Sequence, residues 1–304
     1  MPIRDAIVVS VGMQKGGVAK TTNALHLAAA LAERGRRVLL WDVDENYGAT
    51  KVFGIADQDL WTTMDVVTGS CSIEDAIVHG DEENAEFHLP IGLDFIPSSR
   101  ALQSFERGGK PGSPTNSGDC LRRHIEKLRC LNLYDYILVD NGPHASAATR
   151  SAYLISDYYI LSLIPEKQAI ASLPDALRDI VNARRRDRNP DLHLLGLILS
   201  CMDRRLALGK KYEEAIARGF MDSRGNPVKF ETTISIAAAI DQAYQQNRLL
   251  LDTEPSHRVS KQYRELAREV EERIRSHRMG KKERGVASME MIEPRIQEEM
   301  AANG

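Results

Sequence analysis

The segment Gln14-Lys15-Gly16-Gly17-Val18-Ala19-Lys20-Thr21-Thr22 constrains this chain more than any other. It follows an apolar, β-branched run (Ala6 to Val11) and opens an apolar run from Ala24 to Leu31. A strand, a glycine turn and a helix in immediate succession make a phosphate cradle. Glycines let backbone N–H groups curl around an anion without Cβ clashes, and the helix N-terminus adds partial positive charge. Lys20 is then placed to reach the β- and γ-phosphates of a nucleotide, and the Thr21 hydroxyl to sit on Mg²⁺. Gly16, Gly17, Val18, Ala19, Lys20, Thr21 and Thr22 are the candidate nucleotide-binding residues. The pattern departs from the ordinary phosphate loop twice: Gln14 stands at the first glycine position, and a second lysine, Lys15, precedes the glycine pair.

Short apolar runs recur at 6–12, 37–42, 93–97, 135–140, 158–164 and 194–201, each of the kind a parallel sheet buries on both faces. Helical patterns fall between and after them, at 21–34, 119–129, 145–156, 168–183, 210–218, 236–246 and 257–278. The alternation predicts a doubly wound α/β fold with a mostly parallel sheet, ligands lying at the carboxyl ends of the strands. It also predicts one domain over 1–278 and a flexible tail over 279–304. Residues 107–118, dense in Gly, Pro and Ser, read as a loop.

The 304 residues suffice for a sizeable core, and a charged fraction of 27% reads as soluble and globular. A net charge of −3 restricts any nucleic-acid binding to a local patch. No apolar run reaches transmembrane length, and the start of the chain does not read as a signal peptide. The four cysteines lack CxxC spacing and read as reduced thiols of a cytoplasmic protein.

Two further segments carry chemistry. Trp41-Asp42-Val43-Asp44 closes the second strand with paired carboxylates, which are costly there unless they serve a cation or a water. Tyr136-Ile137-Leu138-Val139-Asp140 is an apolar strand ending in a carboxylate, the Walker B form that holds Mg²⁺ directly or through water. His144, just beyond, reads as a polar surface group.

With its two lysines, the first segment resembles the deviant Walker A box of the ParA/MinD ATPases. The run Asp42–Thr50 is similar to that family's DxDPQGNAT segment, with Glu45-Asn46-Tyr47 as departures. Asp140-Asn141-Gly142-Pro143 is similar to its second switch, and Ser260–Val270 to its closing helix. Ala19 departs from the family's glycine, and its methyl group is expected to crowd the cradle. The resemblance implies a P-loop NTPase that uses ATP and Mg²⁺. It makes Lys15 a "signature" lysine reaching the partner's nucleotide in an ATP-bound homodimer. It assigns Asp44 to the attacking water, Asp42 and Asp140 with Thr21 to the metal, and Asp203 to the base. It implies slow, partner-stimulated hydrolysis.

Within that family the ParA branch fits best. Nine Lys/Arg against four Asp lie between 178 and 211, and ten Lys/Arg against five Glu between 258 and 284. Arg204, Arg205, Lys261, Arg264, Arg268 and Arg275 are the candidate contacts to nonspecific double-stranded DNA, although Glu269–Arg273 and Glu271–Arg275 pairing would neutralise part of the charge. The expected partner is a ParB-like adaptor, and the expected location the nucleoid. A MinD-like membrane-surface role is the alternative, but the tail 289–300 carries four glutamates and one arginine, the wrong charge for anionic lipid. A ParA-like ATPase positioning a protein organelle or cluster is a further alternative. No helix-turn-helix is expected before the first strand, and no cysteine follows the Walker B strand to hold an iron–sulfur cluster.

Overall fold

The computed structural model describes residues 6–80, 87–104, 120–144, 146–185, 189–203, 207–222 and 225–283. Seven strands form one sheet: β1 (Ile7–Gly12), β2 (Val38–Asp42), β3 (Leu93–Ile96), β4 (Tyr136–Asp140), β5 (Tyr158–Leu163), β6 (His193–Met202) and β7 (Lys229–Ser235). Their order is β3-β2-β4-β1-β5-β6-β7, and every pairing is parallel. The first strand lies between β4 and β5, so the chain reverses direction across the sheet beside it. Ligands bind at such a switch point, outside the carboxyl ends of the strands.

Helices cover both faces because the strands are apolar on both. Ile7, Val9 and Val11 of β1, with Val38 and Leu40 of β2, face helix α1 (Lys20–Glu33) and the last helix, Arg258–Glu283. Val8, Leu39 and Trp41 face the helices Arg122–Leu131 and Ala147–Ile155. A third cluster joins Tyr159, Leu161 and Leu197 to the helix Leu173–Arg185.

The last helix lies along α1. Tyr263, Leu266, Val270 and Ile274 are its buried stripe. The buried Glu271 takes the guanidinium groups of Arg34 (2.6 Å) and Arg36 (2.6 Å). The expected Glu271–Arg275 pairing therefore gives way to cross-helix partners at the end of α1, whereas Glu269–Arg273 forms at 3.0 Å. Glu269 also accepts the backbone N–H groups of Glu231 (2.8 Å) and Thr232 (3.1 Å), capping part of the edge strand β7.

The strand β7 is absent from the sequence reading. Its sequence, Lys-Phe-Glu-Thr-Thr-Ile-Ser, has no continuous apolar run, because an edge strand needs little. The last helix also runs to Glu283, past the expected boundary at 278. Most of the expected tail, 284–304, lies outside the described residues.

Candidate nucleotide site

The loop from Met13 to Ala19 leaves the carboxyl end of β1 and turns into α1. Gly17 takes φ +73° and Ala19 φ +62°, both in the left-handed region. Glycine enters that region freely, whereas for an L-residue with a Cβ it costs about 1–2 kcal/mol. Ala19 is thus the strained link of the loop and the residue preceding the first turn of α1.

Lys20 is buried, and its Nζ donates to the Lys15 carbonyl (2.9 Å), arching over the loop. Burial pulls its pKa below the ordinary lysine value, while the charges of Asp140 and Asp44 pull it back up. Lys15 Nζ lies 3.5 Å from Glu166 Oε2 of its own chain. Gln14 donates to the Asp179 carboxylate on the helix Leu173–Arg185.

Three carboxylates meet the loop, and they differ in what surrounds them. Asp140 is fully buried, and both its oxygens lack a well-formed hydrogen bond among the described residues. Burial, then the charges of Asp42 and Asp44, push its carboxyl well above the usual range; the Thr21 hydroxyl and Lys20 act in the opposite direction. Asp42 is equally buried but committed: Oδ1 accepts the Asp44 N–H (3.0 Å), and Oδ2 the Thr50 N–H (3.1 Å) and hydroxyl (2.8 Å). Burial is the largest cause that raises Asp42 to about 7. In the structure it braces the turn that carries Asp44. Asp44 Oδ1 accepts both the N–H and the side-chain amide of Asn46 (2.9 Å each), and its carbonyl accepts the Ser98 hydroxyl (2.9 Å).

The donor set fits Mg²⁺ held with a nucleotide. Among the described residues no three carboxylate, imidazole or thiolate groups converge to hold a metal by themselves. Mg²⁺ needs no such cage, since it binds through one or two protein oxygens, waters and substrate phosphates. Asp140 offers two buried oxygens that lack a well-formed hydrogen bond, with the Thr21 hydroxyl beside them.

Several residues here escape sequence reasoning. A Cβ on Gly48 would lie 3.2 Å from Thr21 Oγ1, and one on Gly142 would lie 3.0 Å from Asp44 Oδ1. Thr50 and Ser98 form the frame behind Asp44: Ser98 N–H donates to Thr50 Oγ1 (2.8 Å). Gly48, Thr50 and Gly142 fall within the motif segments, but their contacts depend on chain crossings that spacing does not reveal. His144 is exposed, in line with its surface reading.

The remaining candidates are scattered. Asp203 directly follows β6, on the same edge of the sheet as the loop. Arg204 and Arg205 lie outside the described residues. On the last helix, Lys261, Arg268 and Arg275 are exposed at seven-residue steps, so they share one side of the helix. Arg268 is paired with Glu272 (3.0 Å). Arg264 is half-buried, forked onto both Glu33 oxygens and bonded to the Pro255 carbonyl.

A glycine-rich loop at the head of α1, a buried lysine over it and a free carboxylate at the end of the neighbouring strand define a P-loop nucleotide-binding protein of the two-lysine type. A family model described as an AAA domain matches residues 6–194. The chain is 31% identical over 269 residues to the chromosome partitioning protein ParA of Caulobacter vibrioides, covering 88% of this chain and 95% of that one. The fold resembles the cobyrinic acid a,c-diamide synthase of Mycobacterium smegmatis with bound ADP and magnesium (29% identity, TM-score 0.61, 70% of this chain and 81% of that one). It also resembles a putative plasmid partition protein of Borrelia burgdorferi bound to AMPPNP (21% identity, TM-score 0.66, 90% and 99%). This chain belongs to the ParA/MinD family of ATPases.

Proposed function

We propose that the chain is an ATP-driven switch that dimerises around two nucleotides, binds nonspecific DNA in that state and positions DNA cargo with a ParB-like partner. The observation that carries this reading is the loop Lys15–Thr22 set against the buried Asp140, whose oxygens lack a well-formed hydrogen bond. Lys20 would leave the Lys15 carbonyl for the β- and γ-phosphates. Thr21 and Asp140 would hold Mg²⁺, which when bound offsets charge on the phosphate oxygens. Asp42 holds the Asp44 turn, and Asp44 would align the attacking water. Such catalysis is positioning and electrostatics. Lys15 would exchange Glu166 for the partner's nucleotide.

Similarity to a chromosome partitioning protein supports the DNA cargo. No helix among the described residues is long and apolar enough to cross a membrane. The cytoplasmic, nucleoid-associated location follows from the DNA-bound state and stands or falls with it.

Light scattering with ATP and Mg²⁺ tests the reading. The parent protein should dimerise, Lys20→Ala should lose ATP binding, and Lys15→Ala should bind ATP as a monomer. A Lys15→Ala protein that dimerises normally would remove the trans role of Lys15.

A further inference from the structure

A buried polar network holds the phosphate loop from behind. The Ser162 hydroxyl on β5 donates to the Val18 carbonyl. Ser162 in turn accepts the Asn23 side-chain amide (2.8 Å), which also reaches Ser200 Oγ on β6 (2.9 Å). The Tyr263 hydroxyl, from the last helix, donates to Asn23 Oδ1 (2.9 Å). Ser162, Asn23, Ser200 and Tyr263 are all buried, at 0–1% exposure, so water cannot replace a lost partner.

The Val18 carbonyl belongs to the same peptide as the Ala19 N–H. That peptide is trans, and a trans peptide points its C=O and N–H in opposite directions. Drawing the carbonyl toward β5 therefore turns the Ala19 N–H away from the sheet. This N–H donates to no backbone oxygen among the described residues. The same hydrogen bond fixes the orientation of the peptide leading into Ala19, whose left-handed conformation is costly for alanine. A glycine would adopt that conformation unaided.

We infer that Ser162, set by Asn23 and Tyr263, is a positioning residue that aims the Ala19 N–H at the nucleotide phosphates and offsets the strain of an alanine in the loop. The inference rests on the nucleotide-binding reading. It has a signature that general stabilisation lacks: the network should matter more with alanine at 19 than with glycine. With alanine, losing the hydrogen bond lets the peptide flip out of a disfavoured conformation; with glycine, that conformation stays populated.

The test is a double-mutant cycle in MgATP affinity, with thermal unfolding alongside. Ser162→Ala should weaken MgATP binding by about tenfold, as expected for a buried group left unpaired. Tyr263→Phe, which removes one hydroxyl at nearly constant volume, should weaken it by about threefold and carries the test if Ser162→Ala does not fold. In an Ala19→Gly background both losses should shrink to about twofold or less. Unchanged affinity in both variants, or losses equal in the two backgrounds, would overturn the inference while leaving the nucleotide reading intact. A parent protein that fails to bind MgATP would overturn both.

Discussion

The Asp44 carboxylate lies against the backbone of Gly142, so close that a methyl group on Gly142 would stand 3.0 Å from Oδ1. The two residues come from the loops after β2 and β4, and their contact brings the proposed water-aligning carboxylate beside the segment that resembles the family's second switch. Gly142→Ala should displace Asp44 without touching the phosphate loop. ATP affinity should stay within about threefold of the parent, while turnover should fall by about tenfold or more, in line with the sensitivity of positioned groups to small shifts. Steady-state phosphate release with a parallel ATP titration measures both. Undiminished turnover would remove Asp44 from the chemistry.

Ala19→Gly should stabilise the protein. Relief of the left-handed alanine contributes about 1–2 kcal/mol, and the freer unfolded chain takes back about 0.4–1 kcal/mol. The net gain should lie between about 0 and about 1.6 kcal/mol in urea unfolding, with an unchanged m-value. Nucleotide affinity should stay the same or rise. A loss of stability would mean that the methyl group fills space the loop requires.

His26 should make the protein acid-sensitive. It is fully buried on α1, stacked 4.7 Å from Tyr263, with Nδ1 2.9 Å from the Thr22 carbonyl. Burial lowers its pKa to about 4, and the Thr22 carbonyl opposes this only in part. Between about 4 and the ordinary 6.5 the unfolded chain binds a proton that the native state does not, so this contribution is lost as pH falls through that window. The full effect is on the order of 3 kcal/mol. Asp42, raised to about 7, works in the opposite direction: its contribution is present at low pH and lost as pH rises toward 7. The difference between parent and His26→Gln isolates the histidine. Urea unfolding from about pH 4.5 to about 7.5 should give the variant the smaller loss on acidification; parallel curves would mean that His26 titrates alike in both states.

The DNA reading predicts steep salt dependence. If about four to six phosphate contacts form per dimer, log K against log[salt] should slope at roughly −4 to −5. Lys261→Glu with Arg275→Glu is the informative pair, because both residues are exposed and neither forms one of the ion pairs that occupy Arg264 and Arg268. The pair should weaken ATP-dependent binding for all sequences alike and leave ATP affinity unchanged. Fluorescence anisotropy at several salt concentrations reads this. Binding that ignores salt and nucleotide would sink the tether, and binding to anionic vesicles in place of DNA would favour the membrane-surface alternative.

The fold was legible where burial is total. Strands such as Val38–Asp42 and Tyr136–Asp140 are apolar on both faces, and the glycine turn after β1 implies the helix that it opens. Strand β7 was not legible, because an edge strand capped by Glu269 does not need an apolar run. The carboxylates were found, but not their division of labour. Composition cannot say that Thr50 occupies Asp42 while Asp140 stays free. At Ala19 the sequence suggests crowding by the methyl group, whereas the structure shows a backbone cost that only the dihedral reveals. The basic stripe of the last helix was visible as charge, but Arg264 is partly engaged by Glu33, a partner 231 residues distant.

The bond from Tyr263 to Asn23 spans 240 residues. Domains emerge from the ribosome N-terminus first, at about 5–20 residues per second. The phosphate loop is thus synthesised well before the tyrosine that anchors it, 240 residues further along the chain. A nascent or truncated chain lacking the last helix leaves the Asn23 acceptor without its tyrosine. The arrangement ties a finished grip on nucleotide to the arrival of the last helix.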